Sequence, residues 1–231
     1  MPLNGIVNTA RSLSYYLRLQ EVTANNLANS NTDAFKADRL TARVLPNGGF
    51  PVPVQTTDLE QGSFRDTGRP LDLGLEGPGF FVVSTEHGER LTRGGSLRLD
   101  PDGRLTDAHG SPLQGENGPI VVSGSNVEVQ PDGTVLVDGA SAGRLRRVQP
   151  DDPATLRKEG WGRFVPSGVL HEVSDDASRV RQGAIEEPNM DPVLSMVDLV
   201  SIQRAYAANI EALRVMDGAL GIVTGDVGKV E

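Results

Sequence analysis

The architecture of the chain is organised around the sequence DPVLSMVDLVSIQRAYAANIEALRVMDGALGIV, residues 191–223. Asp191 is a good N-cap, and Pro192 is tolerated at the first helical position because no N–H is needed there. Larger side chains then recur at alternating steps of three and four, which is a heptad pattern. The members of this predicted seam are Leu199, Ile202, Tyr206, Asn209, Leu213, Met216 and Leu220, with Val223 and Val227 beyond them. The stretch predicts a helix of roughly 45 Å.

The start of the chain repeats the same alternation. The members of this second seam are Leu3, Ile6, Ala10, Leu13, Leu17, Gln20, Ala24 and Leu27. Gln20 is its one polar member, as Asn209 is in the last helix, and a buried amide can fix helix register at some cost in stability. Amphipathic helices in any globular protein show such patterns, so periodicity alone leaves ordinary packing and a coiled coil equally open.

Composition bounds the class of protein. The 231 residues are enough for one or two domains with a substantial core. Only 37% of them are hydrophobic and 4% aromatic, while 27 are Gly and 15 are Pro, which indicates many turns and a modest core. The formal net charge of -9 argues against nucleic acid or an anionic membrane surface as a partner.

The chain has no cysteine, which excludes disulfides and thiolate metal sites. No apolar run is long enough to cross a bilayer, so we expect no membrane insertion. Asn4, Asn8 and Arg11 interrupt any apolar segment at the start, so we expect export, if it occurs, without a cleaved signal peptide.

The middle of the chain changes period from the heptad to two. From Leu71 to about Val148, short apolar runs such as residues 80–83 alternate with turn pairs such as Asp138-Gly139. This predicts an antiparallel β-domain. The fold class is therefore α+β, with long N- and C-terminal coiled-coil helices around a central β-rich domain. The predicted segments are an N-terminal helix with an extended segment (1–44), a connector (45–70), the β-domain (71–170), a second connector (171–190) and the C-terminal helix (191–231).

Candidate chemistry is sparse. His87, His109 and His171 lie far apart in sequence and show no metal-ligand spacing. The segment from Asp100 to Asp107 lacks the Glu of a calcium loop and fits a β-turn better. Nothing has the pattern of a nucleophile elbow or a catalytic triad. We therefore expect neither an enzyme nor a cofactor or metal site.

Several motifs resemble those of bacterial flagellar rod and hook proteins, in the right order and over nearly the whole chain. The N-terminal motif is Asn25-Asn26-Leu27-Ala28-Asn29, followed by Asn31-Thr32 and Phe35-Lys36, with Ala34 where the family usually has Gly. The further matching motifs are residues 61–64, 67–73, 79–83, 92–95, 99–105 and 203–206, with Asn209 and Asp217. Pro188 and Met190 depart from the usual Ser and Val.

The resemblance implies a structural subunit of the basal-body rod, polymerised into a hollow drive shaft that transmits torque and forms part of the export channel. Its partners would be copies of itself, neighbouring rod and hook subunits and the flagellar export apparatus. The two seams, together with Asn25, Asn26 and Asn29, would form the subunit interface. The lack of an aromatic-rich segment soon after Lys36 favours the proximal rod.

Two alternatives stay open. One is a distal rod or hook-type axial subunit, although the compact single β-domain argues against hook. The other is a secreted β-rich binding module in which the two helices form an intramolecular coiled coil. An electron micrograph separates the classes, because a helical tube favours the axial proteins and a discrete oligomer favours the binding module.

Overall fold

A computed structural model describes residues 2–43 and 51–227, with the side chains of residues 2–4, 220 and 222–227 outside that description. The chain divides into two compact units. Unit 1 consists of Met1–Ala28, Asp38–Thr56 and Asp191–Glu231, and unit 2 of Asn29–Ala37 and Thr57–Met190. The architecture is α+β, with a helix at each end of a β-rich middle, as predicted.

Unit 1 holds the two long helices and one hairpin. Helix α1 spans Pro2–Ala28, helix α2 spans Pro192–Val227, and strands β1 (Asp38–Arg43) and β2 (Val52–Thr57) pair with each other. Asp191 caps α2 as predicted, because its Oδ1 accepts hydrogen bonds from the backbone N–H of Val193 at 2.8 Å and of Leu194 at 3.2 Å. None of the described helices is long and apolar enough to cross a membrane.

Unit 2 consists of short strands joined by tight turns. The strands are β3 (Phe64–Asp66), β4 (Leu73–Glu76), β5 (Phe80–Thr85), β6 (Gly88–Thr92), β7 (Arg98–Leu99), β8 (Leu105–Thr106), β9 (Gln114–Gly115), β10 (Gly118–Pro119), β11 (Val127–Val129), β12 (Thr134–Val137), β13 (Ala140–Arg144), β14 (Arg147–Pro150), β15 (Arg157–Gly160), β16 (Arg163–Val165), β17 (Leu170–Glu172), β18 (Arg179–Gln182) and β19 (Ala184–Glu186). A 3-10 turn, Pro153–Thr155, precedes β15.

The largest sheet has the strand order β15-β16-β6-β5-β14-β17, and its pairings are antiparallel. Smaller sheets pair β3 with β19, β4 with β18, β7 with β8, β9 with β10, and β11 with β12 and β13. Pairing of β3 and β4 with β18 and β19 joins the two ends of unit 2, because strands far apart in sequence lie side by side. The β-structure of unit 2 therefore begins at Phe64 and ends at Glu186.

Strand β5 separates two hydrophobic clusters. Its side chains alternate, so Phe81 and Val83 enter one cluster while Phe80 and Val82 enter the other. The first cluster collects buried side chains from β4, β8, β12 and β18, and the second includes Phe164, whose ring meets that of Phe80 edge to face at 5.5 Å. Burial on both faces explains why residues 80–83 form a continuous apolar run.

Glycine residues allow one tight turn and one close backbone contact in unit 2. Asp138 and Gly139 have φ of 50° and 85° and join β12 to β13, which is the type I′ geometry that an Asp-Gly pair favours. Gly95 is required for a different reason, since a Cβ at this position would lie 1.6 Å from the carbonyl oxygen of Leu73. The motif that contains Gly95 therefore serves a close backbone approach.

Candidate subunit interface

Helix α2 directs its predicted seam toward α1. Ile202 is buried, whereas four seam members are half-buried: Leu199, Tyr206, Asn209 and Leu213. Met216 is exposed over 37% of its surface, and its Sδ accepts a hydrogen bond from the Thr9 hydroxyl at 3.8 Å. The Leu220 side chain, like Val223 and Val227, lies outside the described residues. Ala205 and Ile210 are half-buried beside the seam, so the covered surface of α2 is wider than the seam alone.

Helix α1 presents only half of its predicted seam. Every second member is half-buried: Ile6, Leu13, Gln20 and Leu27. The members between them are exposed: Ala10, Leu17 and Ala24. In their place, three residues one position earlier face the interior: Thr9, Tyr16 and Thr23. The Leu3 side chain lies outside the described residues. The covered stripe keeps the three-four alternation. At every second position the covered residue lies one place earlier in the sequence, which is about 100° around the helix from the predicted one.

The two helices run antiparallel. Thr9 contacts Met216, so an antiparallel pairing places Ile202 level with about Thr23, near the end of α1. That arrangement supplies a covering surface for Ile202, which is only 7% exposed. A parallel pairing with the same Thr9–Met216 contact would place Ile202 beyond the start of α1.

The β1–β2 hairpin covers a second face of α1. Val22 is 5% exposed, and Ser12, Tyr15, Leu19 and Asn26 are half-buried along the same three-four stripe. Asn26 fixes the hairpin through two bonds to the Asp38 backbone, accepting from its N–H at 2.9 Å and donating to its C=O at 2.8 Å. Gln55 accepts from Arg18 at 2.9 Å and donates to the Asp38 carboxylate at 2.9 Å.

Among the predicted amides, those of Asn209 and Asn29 hydrogen-bond to nearby residues. Asn209 donates to the carbonyl of Ala205 in its own helix at 2.8 Å. Asn29 accepts from Thr32 through its backbone carbonyl at 3.0 Å and through its side chain at 3.3 Å, closing the turn after α1. Asn25 lies on the exposed side of α1 and Gln20 on the half-buried side. The Asn motif therefore ends α1 and orients the hairpin, with Asn26 as its central member.

Both helices leave apolar side chains exposed. On α2 these are Val193, Leu194, Met196, Val197, Val200 and Val215, with exposures of 65%, 62%, 53%, 58%, 47% and 65%. On α1 they are Val7 and Leu17, at 44% and 45%. An exposed apolar strip of this extent is typical of a surface that meets another protein.

Unit 2 contains a buried ionic cluster at Glu186. Its Oε1 accepts from the Lys36 ammonium at 2.5 Å and the Gly62 N–H at 2.9 Å, and its Oε2 accepts from Nε of Arg93 at 2.7 Å. The side chains of Glu186 and Lys36 have no exposed surface, and that of Arg93 has 5%. Two cations therefore share one carboxylate away from water.

Backbone carbonyls complete the cluster. Lys36 donates to the carbonyl of Glu60 at 2.6 Å. Arg93 donates to three others, those of Leu75 at 2.6 Å, Gly77 at 3.0 Å and Gly79 at 2.8 Å. Burial lowers the pKa of the Lys36 ammonium, and the Glu186 carboxylate opposes that shift. A network with these partners satisfied is strongly destabilised when one member is removed, because an uncompensated charge is then buried.

The segment Asn29–Ala37 belongs to this cluster rather than to α1. The Ala34 N–H donates to the carbonyl of Glu186 at 2.7 Å, and Asn189 accepts from the Ala37 N–H at 2.7 Å. Ala34 has φ 53°, so the left-handed turn is present even though alanine replaces the usual glycine. The residues directly after α1 and directly before α2 are thus held within unit 2.

Sequence reasoning did not single out Lys36, Arg93 and Glu186 as a set. Lys36 and Arg93 lie in motifs that carry the family resemblance, and Glu186 follows a short run before α2. A charged residue inside an otherwise apolar or glycine-rich motif was the available signal. No spacing rule joins residues 36, 93 and 186, so only the fold brings them together.

The described residues contain no group of three or more His, Asp and Glu side chains placed to hold a metal ion. His109 stacks on Trp161 at 4.7 Å, and His171 pairs with Asp151 at 2.5 Å. The Asp100 carboxylate accepts from the N–H groups of Asp102 at 2.9 Å and Arg104 at 2.8 Å, which is the geometry of a turn. The strongest candidate site is therefore the pair of incompletely covered helices.

Family models match three parts of the chain. The model for the flagella basal body rod protein matches residues 13–36, that for the flagellar hook protein FlgE/F/G D1 domain matches residues 74–137, and that for the flagellar basal body rod FlgEFG protein C-terminal matches residues 181–224. These matches include both the Asn motif and the last helix.

Individual relatives align over most of the chain. It is 32% identical to the flagellar basal-body rod protein FlgF of Escherichia coli (strain K12), over 94% of this chain and 96% of the relative. It is 34% identical to FlgF of Caulobacter vibrioides, over 80% of this chain and 82% of the relative. The flagellar basal-body rod protein FlgG of Agrobacterium fabrum is 27% identical, over 88% of this chain and 92% of the relative.

Proposed function

This chain belongs to the flagellar FlgE/F/G rod and hook protein family, and from that premise we propose that it is a structural subunit of the bacterial basal-body rod. Its copies, with neighbouring rod and hook subunits, polymerise into the hollow shaft that transmits torque and forms part of the export channel. The subunit reaches the periplasm-spanning rod through the flagellar export apparatus. It acts through assembly, not catalysis, and we place it in the proximal rod.

The observation that carries this proposal is the one-sided burial of α2. Its half-buried stripe meets α1, while six large apolar side chains on its other faces remain in water. Covering them by coiled-coil packing against helices of neighbouring subunits removes this apolar surface from water. Because the contact joins different surfaces of each copy, it does not close on itself and generates a helical tube.

The proposed subunit interface is the set of seam residues and Asn residues predicted from the sequence, now divided between two roles. The half-buried seam members hold α1 on α2 within a copy. Ala10, Leu17 and Ala24, which are exposed, belong to contacts between copies.

Leu17→Asp tests the proposal. Leu17 is 45% exposed, so its replacement leaves the side chains packed between α1 and α2 unchanged. We expect cells with this variant to be non-motile and to lack complete rods, while the purified protein keeps a folded unit 2. Val169→Asp, in unit 2 at 61% exposure, is the matched control and should support motility. Motile cells with Leu17→Asp, or discrete oligomers instead of tubes in electron micrographs of polymerised wild-type protein, would contradict the proposal.

A further inference from the structure

A groove lies between α1 and the β1–β2 hairpin. It has a volume of about 780 Å³. Its lining residues, all in the described part of unit 1, are Asn8, Arg11, Ser12, Ser14, Tyr15, Tyr16, Ala42, Pro51, Val52 and Pro53. The rings of Tyr15 and Tyr16 meet edge to face at 5.9 Å, and Val52 is 42% exposed. Tyrosine and exposed aliphatic side chains in a concave surface are the composition of a protein-binding site.

The first two turns of α2 carry a convex surface of matching character. Val193, Met196, Val197 and Val200 follow the spacing i, i+3, i+4, i+7, so they share one face of the helix. Each is exposed over about half of its surface or more. We call these four residues, with Leu194, the α2 entry patch. Helix-in-groove recognition uses apolar anchors at this spacing.

The entry patch does not reach the groove of its own chain. In the antiparallel helix pair, Val197 is level with the end of α1 near Ala28, whereas the groove centres on about Ser12. Sixteen residues of helix separate these levels by roughly 24 Å. Since α1 and α2 are packed together, the patch is available only to another molecule.

Charge complements the apolar match. The α1 and hairpin segments carry a net charge of +2, from Arg11, Arg18, Arg39 and Arg43 against Glu21 and Asp38. Helix α2 carries -2, from Asp198, Glu211, Asp217 and Asp226 against Arg204 and Arg214. Asp191 and Asp198 flank the entry patch, and Arg11 lines the groove. Opposite charge around an apolar centre favours association of patch with groove over patch with patch.

We propose that the groove of one copy receives the α2 entry patch of a second copy. This inference rests on the proposed rod function and names the surfaces that join successive subunits. The contact is heterologous, because patch and groove differ and lie at different levels of the helix pair. A row of copies joined in this way keeps a free groove at one end and a free patch at the other.

The test uses the absence of cysteine from the chain, so that introduced cysteines are the only thiols. Val52→Cys and Val197→Cys are made in separate full-length chains, mixed, polymerised and oxidised. Both positions are exposed, so neither change empties a core. A disulfide needs Cα atoms within about 7 Å, whereas roughly 24 Å of helix separates the levels of groove and patch within one chain. We expect the mixture to form a disulfide-linked dimer, in roughly tenfold excess over a Val169→Cys and Val197→Cys control mixture.

The outcomes separate the inference from the function on which it rests. Tubes without the Val52–Val197 dimer overturn the inference and leave the rod function standing. A dimer from Val197→Cys protein alone overturns it by showing patch on patch. In cells, crosslinks of Val52→Cys protein exclusively to a protein of different mass overturn the choice of a second copy. Discrete oligomers without tubes overturn the rod function itself.

Discussion

Unit 2 buries two clusters of hydrophobic side chains, whereas the helices of unit 1 leave most of theirs half-buried or exposed. Two clusters in unit 2 hold Leu, Val, Ile and Phe side chains at exposures of 9% or less. Among the described residues of the two long helices, only Thr9, Val22 and Ile202 are buried. Unit 2 therefore has a hydrophobic core of its own, while the helices of unit 1 leave apolar surface for the contacts between copies proposed above.

The energetic consequence follows from half-burial. A side chain contributes about 1.5–3 kcal/mol when it is fully buried, and correspondingly less when half of it stays in water. Ordering each residue of a helix costs about 1–2 kcal/mol in backbone entropy. Isolated helices are marginal in water for this reason. We therefore expect α1 and α2 to be largely disordered in the free monomer and to order on assembly.

Limited proteolysis of the monomer should reveal the largest contrast between the units. We expect rapid cleavage in residues 2–28, 38–56 and 192–227, because these open at little free-energy cost, and survival of a fragment ending near residue 190. Mass analysis identifies the products. The segment 29–37 should stay bound to the fragment after cleavage in the hairpin, since Lys36 is held at Glu186. Helices as resistant as unit 2 would show that unit 1 is stable without partners.

Loss of the Glu186 carboxylate should be the most damaging single change in unit 2. Glu186→Leu leaves the Lys36 and Arg93 cations buried without an anion, so we expect a loss of about 3–5 kcal/mol in the free energy of unfolding. Urea denaturation followed by the fluorescence of Trp161, the only tryptophan, measures it. Glu187→Leu is the matched control, because its carboxylate is 40% exposed, and should change stability by less than about 1 kcal/mol. Equal effects would refute a special role for the cluster.

In unit 1, Asn209 should affect register more than stability. Asn209→Leu replaces a half-buried amide, bonded within its own helix, with an apolar side chain. We expect helix stability to hold or to rise by about 1 kcal/mol, while the assembled tubes become heterogeneous in electron micrographs. Gln203→Leu, on the exposed side of α2, is the control and should keep uniform tubes. Uniform tubes from a destabilised Asn209→Leu protein would contradict the register role.

The smallest expected effect concerns Ala34 in unit 2. Ala34→Gly removes the strain of a left-handed backbone conformation, which stabilises the fold by about 1–2 kcal/mol. The same change loses a buried methyl group and raises the conformational entropy of the unfolded chain, and each of these destabilises the fold by about 0.5–1 kcal/mol. We expect a net change near zero. Ala37→Gly, equally buried but outside the left-handed region, has no relief to offset its losses. It should be about 1–2 kcal/mol less stable by urea denaturation. Equal losses from both variants would rule out strain at Ala34.

Local chemistry was readable from the sequence by itself. The heptads predicted both helices, the Asp191-Pro192 pair predicted the start of α2, and Asp138-Gly139 predicted a tight turn. Each of these depends on residues within a few positions of one another, so their side chains and backbone carry the information. The motifs likewise indicated the family, because they are short and ordered along the chain.

Tertiary structure alone decided which side of α1 is covered. Ile6, Leu13, Gln20 and Leu27 belong to two overlapping stripes, and hydrophobicity favoured the stripe that includes Leu17 over the one that includes Tyr16. The hairpin covers the face of α1 next to the one that α2 covers, so the buried side of α1 is shifted toward the hairpin. A pattern along one helix does not record a second neighbour. For the same reason, no pattern joins Lys36, Arg93 and Glu186, whose charges became a cluster only when the fold removed them together from water.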